Sequence, residues 1–347
     1  MKPGIRLYLK RFFIRLRAWE FWPFWAVQFP LFIYWLWLSI KARSLLFFSA
    51  SNPSIVMGGM FGESKYSVLN QLPEELIPRS LLITDALSTA HVMELLQING
   101  FSFPLIFKPD IGERGFRVKR IDSSDDITRY LEESQADFIV QDLVDWPVEC
   151  GVFYTRFPEE EAGRVTSVVV KDMLSVTGNG KHTLGELIWN NSRAALQWER
   201  LQQAFSLNWD EVIPSGEIRV LNSIGNHCLG TTFLDGKHLI SEALSHRFDL
   251  ISKQMAEFYF GRFDLRCPTF DDLLKGPIKI LEVNGCGAEP AHIYHPGTPL
   301  LSAWKELFRH WSNLYTISYQ NHLRGYRYTS FSDGLKIFRN FRRQMGA

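Results

Sequence analysis

No cysteine in this sequence stands at C-x-x-C spacing from another. Cys150, Cys228, Cys267 and Cys286 are scattered, which excludes a disulfide framework and reads as reduced thiols in a cytosolic compartment. An excess of one charge sign is also missing. Lys and Arg number 38 against 37 Asp and Glu, a formal net charge of +1, whereas a nucleic-acid-binding chain would usually be strongly basic. Internal repeats and low-complexity segments are absent, and no convincing Ser–His–Asp or Cys–His arrangement is present to supply a covalent nucleophile. What remains is an ordinary globular profile, 46% hydrophobic and 22% charged over 347 residues, enough for two or three subdomains with a real core.

The ends differ from the middle. Residues 1–19 carry Lys2, Arg6, Lys10, Arg11, Arg15 and Arg17 with no acid, and residues 21–40, FWPFWAVQFPLFIYWLWLSI, carry no charge. Near the C-terminus Leu335, Phe338 and Phe341 recur at three-residue spacing among Lys336, Arg339, Arg342 and Arg343. Three placements of the N-terminal run compete: a bilayer span, an interfacial anchor, or an aromatic cap folded onto the globular part. Pro23, Gln28 and Pro30 interrupt the run, and its tryptophans and tyrosine suit an interface. No small-residue cleavage site follows it, so it does not read as a signal peptide. The expectation is an interfacial anchor.

From residue 50 the texture is mixed. Helices are expected near Glu63–Tyr66, in DALSTAHVMELLQING (residues 85–100) and in SSDDITRYLEES (residues 123–134). Short strands are expected in FPLIFKP and DFIVQDLV, and strand, helix and strand recur to about residue 315. This is an α+β plan with mostly antiparallel sheets.

Four stretches carry the chemistry. In FPLIFKPDIGERGFRVKRI (residues 103–121) a strand delivers Lys108, and Gly112 and Gly115 bracket a turn before a second strand. Glycines let a backbone approach phosphate closely, and a lysine at a strand end adds a point charge. Alone, a plain β-hairpin with a surface lysine explains this better. In DFIVQDLVDWPVECGVFY (residues 137–154) a linker from Gln141 to Trp146 precedes Glu149. Linker backbone can meet a base edge and a carboxylate can accept from ribose hydroxyls, though a polar loop is the simpler reading. In SVVVKDMLSVTGNGKHTLGELI (residues 167–188) Lys171 closes a strand, Asn179-Gly180 makes a turn, and Thr183 with Glu186 forms a capping box. Lys171 and Lys181 are candidates for holding phosphate.

The fourth is a pair of strands, GRFDLR (residues 261–266) and IKILEVNG (residues 278–285). Alternation puts Arg262 and Asp264 on one face of the first, and Glu282 and Asn284 on one face of the second. If the strands are neighbours, two carboxylates and an amide carbonyl converge, a hard oxygen set suited to Mg²⁺.

These four motifs, in this order, resemble the ATP-grasp superfamily of carboxylate–amine ligases, with the D-alanine–D-alanine ligase and cyanophycin synthetase families as the nearest comparisons. The resemblance covers roughly residues 60–315 and is strongest in FPLIFKPDIGERG, the Asp264 strand and LEVNG. It implies an ATP-grasp fold, two α+β subdomains gripping ATP at about 61–145 and 146–315. The segment 1–60 stands in place of the usual N-terminal subdomain, and 316–347 is a basic tail. By the same resemblance Lys108 contacts the α- and β-phosphates, and Gly112 to Gly115 form the phosphate lid. Leu143 offers its backbone to adenine and Glu149 binds ribose. Asp264, Glu282 and Asn284 hold one or two Mg²⁺ ions, with Mn²⁺ as the alternative, and Arg262 stabilises a tetrahedral intermediate. An earlier ATP-grasp lysine matches Lys65 or Arg79. Gln141 departs from the pattern, since many members carry an acid near the adenine amino group.

The reaction type this implies is activation of a carboxylate by ATP as an acyl phosphate, followed by attack of an amine. Arg262 and the Gly285–Gly287 backbone are the expected oxyanion donors, and Glu289, His292, Tyr294 and His295 are expected along the acceptor side. The two histidines lack the partner spacing of a zinc site. Small carboxylate and amine substrates, no nucleic acid, and a cytoplasmic location at the inner face of the membrane complete the expectation, because a chain exported through a span would meet no ATP. A non-catalytic nucleotide-binding protein and an ATP-grasp kinase are the alternatives.

Overall fold

A computed structural model of the chain describes residues 3–345 apart from 85–87, 114, 134–135 and 223. Helices α1 (Pro3–Arg17) and α2 (Phe24–Ala42) open it. Two short 3-10 turns follow, at 47–50 and 56–59, the second with Met57, Gly58 and Gly59 at positive φ. Helix α3 (Lys65–Leu69) is capped by Ser64, whose Oγ accepts from the Ser67 N–H.

The first sheet is built from β1 (Ser80–Ile83), then α4 (Thr89–Ile98), β2 (Leu105–Pro109), β3 (Lys119–Ile121), α5 (Ser124–Glu133) and β4 (Phe138–Asp142). Its spatial order is β1-β4-β2-β3, antiparallel throughout. Leu105 and Phe107 alternate inward and pack with Val92 and Leu96 of α4 and Ile127 and Tyr130 of α5. Phe107, Tyr130 and Phe138 form an aromatic nucleus with centroids 5.0–5.3 Å apart. The opposite parity leaves Ile106 and Lys108 on the other face.

The second sheet begins with β5 (Val148–Thr155) and β6 (Arg164–Asp172). A small helical lobe follows: β7 (Ser175–Thr177), α6 (Leu184–Asn190), α7 (Ser192–Leu196), α8 (Trp198–Ala204) and β8 (Ile218–Val220). Trp198 meets Trp189 and Trp209 edge-on in this lobe, and the expected Thr183–Glu186 capping box is formed. Then come β9 (Thr232–Asp235), α9 (Glu242–Ser252), β10 (Phe260–Cys267), α10 (Asp272–Lys275) and β11 (Lys279–Asn284). The order β11-β10-β5-β6-β9 is again antiparallel. Phe263, Leu265, Ile280 and Val283 face the core under α9, where Leu244 and Phe248 meet them. The expected α+β plan with antiparallel sheets is the one observed.

After β11 the expectation fails. Among the described residues no further strand occurs, and α11 (Leu300–Leu323) and α12 (Phe331–Gln344) finish the chain. Ala303, Leu307, Leu314 and Ile317 recur at helical spacing and bury one stripe of α11. Onto that stripe dock Leu31 and Leu38 of α2, fixed by Tyr34 Oη to Ser312 Oγ at 2.8 Å and Trp304 Nε1 to the Val27 oxygen at 2.9 Å. The outer face of α2 stays exposed, with Trp25 at 73% and Phe29 at 61%. Among the described residues no helix is long and apolar enough to cross a membrane.

Candidate functional site

The two strands β10 and β11 are neighbours, as parity required. Asp264 lies opposite Glu282 and Arg262 opposite Asn284, and Asn284 Nδ2 donates to Asp264 Oδ2 at 2.8 Å. On the other side of β10, Asp264 faces Gly151 of β5. A Cβ there would come within 3.0 Å of Asp264 Oδ1, so a glycine makes room for the carboxylate.

Cations surround this pair. Arg262 Nη2 and Lys171 Nζ each lie 3.0 Å from Asp264. Burial pushes the Asp264 carboxyl up, but the Arg262 and Lys171 charges outweigh it and hold its pKa down at about 2. Lys65 Nζ donates to Glu282 Oε1. It is delivered by α3, whose first turn is clamped by the residue after β2. The Asp110 main-chain oxygen accepts from the Lys65 N–H, and Asp110 Oδ1 accepts from the Tyr66 N–H and the Ser64 hydroxyl.

Lys108 arrives from the first sheet. Its ammonium donates to Gln141 Oε1 at 3.1 Å and to the Leu281 oxygen of β11 at 2.9 Å, and burial pushes its pKa down to about 8. Gln141 is fixed in turn by donating to Ser80 Oγ at 3.0 Å. The residue read as a base-recognition position thus orients a lysine. Arg79, the alternative to Lys65, pairs with Asp142 and stacks on Phe101. Only Lys65 of the two reaches the carboxylates.

Glu149 lies between Lys171, 3.1 Å away, and Arg266, 2.8 Å away. Arg266 also donates to the Val144 oxygen at 2.9 Å, tying down the linker that starts at Leu143. Sequence reading passed over Arg266, although it shares the parity of Arg262 and Asp264. Over Glu149 runs a loop in which a Cβ on Gly225 would lie 2.0 Å from Glu149 Oε1. The glycine turn of the first sheet meets the same loop. Gly115, at φ +69, would place a Cβ 2.9 Å from Asn226 Nδ2, and one on Gly112 would lie 3.6 Å from Met345 Sδ. Lys181 is exposed on the Asn179 turn and joins none of these groups.

One expected feature is overturned. The Cys286 N–H donates to the Gly58 oxygen and the Gly287 N–H to the Gly59 oxygen, each at 3.0 Å. These amides are therefore engaged and do not form an oxyanion hole, which leaves Arg262 as the expected donor. Gly59 and Gly285 touch backbone to backbone, with no space for a Cβ on either. Cys286 is buried, and burial pushes its thiol up to about 12, so it is inert packing. Of the residues expected along the acceptor side, Glu289 accepts from Arg262 Nη1 through its main-chain oxygen at 3.3 Å, and its carboxylate is held by Gln28 and Tyr294. His292 and His295 turn to different partners, Ser167 Oγ and the Asp235 N–H.

Among the described residues no group of three or more His, Cys, Asp or Glu side chains is gathered for a metal ion. The donors available are Asp264, Glu282 and the carbonyl oxygen of Asn284, whose amide nitrogen is already engaged. Near Glu282 lies Glu63, missed by sequence reading. Its Oε2 is buried without a hydrogen-bond partner. Burial raises its pKa, with the Lys65 charge opposing and the Glu282 charge reinforcing that rise. Oxygen donors of this kind suit a hard divalent ion in chemistry. Glu63, however, is not gathered with Asp264 and Glu282, and both Asp264 oxygens are already held by Lys171, Arg262 and Asn284, which such an ion would have to displace.

No family model matches the sequence, and no curated protein does. Solved structures give remote likenesses. A D-Ala:D-Ser ligase from Enterococcus faecalis aligns at 12% identity and a TM-score of 0.43, over 76% of this chain and 64% of that one. A D-alanine–D-alanine ligase from Bacillus anthracis aligns at 13% and 0.42, over 78% and 72%. A bifunctional glutathione synthetase from Pasteurella multocida aligns at 16% and 0.36, over 67% of this chain but 34% of its own length. The chain thus spans about a third of the synthetase.

Proposed function

We propose that the chain is an ATP- and Mg²⁺-dependent ligase that activates a carboxylate as an acyl phosphate and joins it to an amine at a membrane surface. The observation that supports it most is the ring formed by Lys65, Lys108, Lys171 and Arg262 around the facing Asp264 and Glu282. Such a ring suits a polyphosphate whose charge spreads during transfer. Lys108 and Lys171 hold phosphate oxygens, Lys65 balances Glu282, and Glu149 with the Leu143 linker positions the nucleoside. Asp264, Glu282 and Asn284 are the residues that would hold Mg²⁺, which would add to the neutralisation of phosphate charge. Gly115, packed against Asn226, brings its backbone over the phosphates. Arg262 then donates to the oxyanion that forms when the amine adds to the acyl phosphate, and orthophosphate leaves. ADP release from ATP, Mg²⁺ and an amino-acid mixture tests the reading. Release no faster than that of Glu282→Ala would remove it.

A second reading, nucleotide binding without turnover, is favoured by one feature: Asp264 and Glu282 are both already neutralised by protein cations. Tight ATP binding with no ADP under any substrate mixture would select it. The membrane part rests on the exposed aromatic face of α2 and the arginines of α1 and α12. Flotation with anionic liposomes tests that part, and a chain that stays at the bottom at low salt would refute it.

A further inference from the structure

Where α2 ends, Arg43 turns the chain in the left-handed conformation (φ 53, ψ 30), its N–H bonded back to the helix. The segment joining α11 to α12 passes beside this turn. Between them opens a cleft of about 580 Å³, lined among others by Arg43, Ser44, His322, Arg327, Thr329 and Ser330. No Asp or Glu lines it. The nearest carboxylate on α12, Asp333, is occupied by Lys336 at 3.0 Å and by the Ser330 hydroxyl at 2.7 Å.

Among the described residues neither Arg43 nor Arg327 has a side-chain hydrogen bond or ion pair. Both are exposed, and both line this one open cleft. The hydroxyl of Tyr328, a further lining residue, is buried and also without a partner. The first turn of the fourteen-residue helix α12 starts at the cleft, with Ser330 as its N-cap. Two free guanidiniums and a helix N-terminus thus share one open cleft with no carboxylate in its lining, an arrangement that favours an anion. The fork geometry of guanidinium and the unsatisfied N–H groups of a helix start both favour a phosphate over a halide or a single carboxylate.

We infer that this cleft is a phosphate-binding site, and that the phosphate it takes is a lipid headgroup. Leu45 and Phe331 line the cleft and are exposed by 45% and 65%, and Ile40, 76% exposed on the last turn of α2, accepts from the Arg43 N–H through its carbonyl. A headgroup phosphate in the cleft would leave its acyl chains beside these residues, which a free phosphate would not use. The site shares no residue with those assigned to ATP.

The test uses the full chain and the pair Arg43→Asn with Arg327→Gln; asparagine tolerates the left-handed backbone. Binding to phosphatidylcholine vesicles doped with phosphatidic acid is compared with that of a charge-matched pair, Arg339→Gln with Arg342→Gln. A basic residue at an anionic surface is worth about a factor of five, so the cleft pair should lose about thirty-fold in affinity, and the matched pair clearly less. Inorganic phosphate, read as a shift in melting temperature, is the second arm. A shift in wild type that the cleft pair loses, with vesicle binding unchanged, supports the phosphate site and assigns it to free phosphate. Equal losses in both pairs overturn the inference in favour of diffuse charge. A cleft pair indistinguishable from wild type in both arms overturns it outright. ATP binding, followed with a fluorescent ATP analogue, should be unaltered by the cleft pair, so failure of the ligase reading stays a separate result.

Discussion

The ammonium of Lys108, on the first sheet, donates to the main-chain oxygen of Leu281 on the second sheet, 2.9 Å away. It is a bond between the two sheets, and a phosphate bound as proposed would have to take the ammonium over from that carbonyl. Burial pushes the Lys108 pKa down to about 8, so in the free protein the charged form is lost as pH rises through that value. A step that needs the charge should therefore show kcat/KM falling above about pH 8 with unit slope. Lys108→Arg should carry the limb beyond pH 10, and Lys108→Met should lower kcat by about 10² or more. A wild-type profile flat to pH 10 would remove Lys108 from the reaction.

Asp264 and Glu282 face each other, yet their replacement should cost differently. Asp264 is buried between Arg262 and Lys171, and Asp264→Ala leaves the half-buried Arg262 without its carboxylate, while Lys171 keeps Glu149 at 3.1 Å. A loss of about 3 kcal/mol in unfolding free energy is expected. Glu282 is more open and pairs with one lysine, so Glu282→Ala should cost about 1 kcal/mol. Urea titrations decide between them. The Asp264 carboxyl titrates at about 2 in the folded chain against an ordinary 3.8. Its contribution is therefore complete above pH 4 and lost as pH falls toward 2. The wild-type midpoint should drop in that window more than that of Asp264→Asn.

Much of this site could be read in the sequence because parity holds over Arg262–Asp264 and Glu282–Asn284. It breaks at the register shift beyond, where Leu265 lies opposite Ile280 and both Ile280 and Val283 reach the core. Once GRFDLR and IKILEVNG are strands, only the register of Asp264 with Glu282 remains to be found. Arg266 has the same parity, but its partner Glu149 lies on β5, a strand that the pairing of GRFDLR with IKILEVNG does not reveal. What parity cannot reveal is who else arrives. Lys65 meets Glu282 from 217 residues away, and the Gly58 and Gly59 carbonyls that occupy the Cys286 and Gly287 amides carry no side-chain signature. Helix α11 was legible in its 3–4 spacing but was subsumed under a strand–helix alternation that had ended.

The loop over Glu149 allows no side chain at Gly225, where a Cβ would meet Glu149 Oε1 at 2.0 Å and Lys171 Cδ at 2.9 Å. Gly225→Ala must either lift the loop or turn the Glu149 carboxylate from Lys171 and Arg266. Nucleotide affinity should fall at least tenfold, with a stability loss of about 1–3 kcal/mol from overpacking. Titration with a fluorescent ATP analogue reads the first and thermal melting the second. Unchanged affinity would place the nucleoside elsewhere. Gly216, with no atom within 4 Å of a Cβ, also has positive φ (+84), so Gly216→Asn, which tolerates that backbone, is the appropriate control.

Helix α2 should respond oppositely on its two faces. Leu38 is 1% exposed and packs with Phe47, Leu314 and Ile317, so Leu38→Ala opens a cavity and should cost about 3 kcal/mol. Trp25 and Phe29 project from the other face, and replacing both by serine should change stability by less than about 1 kcal/mol. If the exposed face enters a bilayer surface, those two rings insert apolar area worth roughly 25 cal/mol per Å² at most. The double serine variant should then lose at least tenfold in affinity for anionic vesicles. Leu38→Ala, at a temperature where it is still folded, should bind them like wild type. The reverse pattern, vesicle binding insensitive to Trp25 and Phe29 but abolished with the fold, would mean that this aromatic face does not carry the lipid affinity.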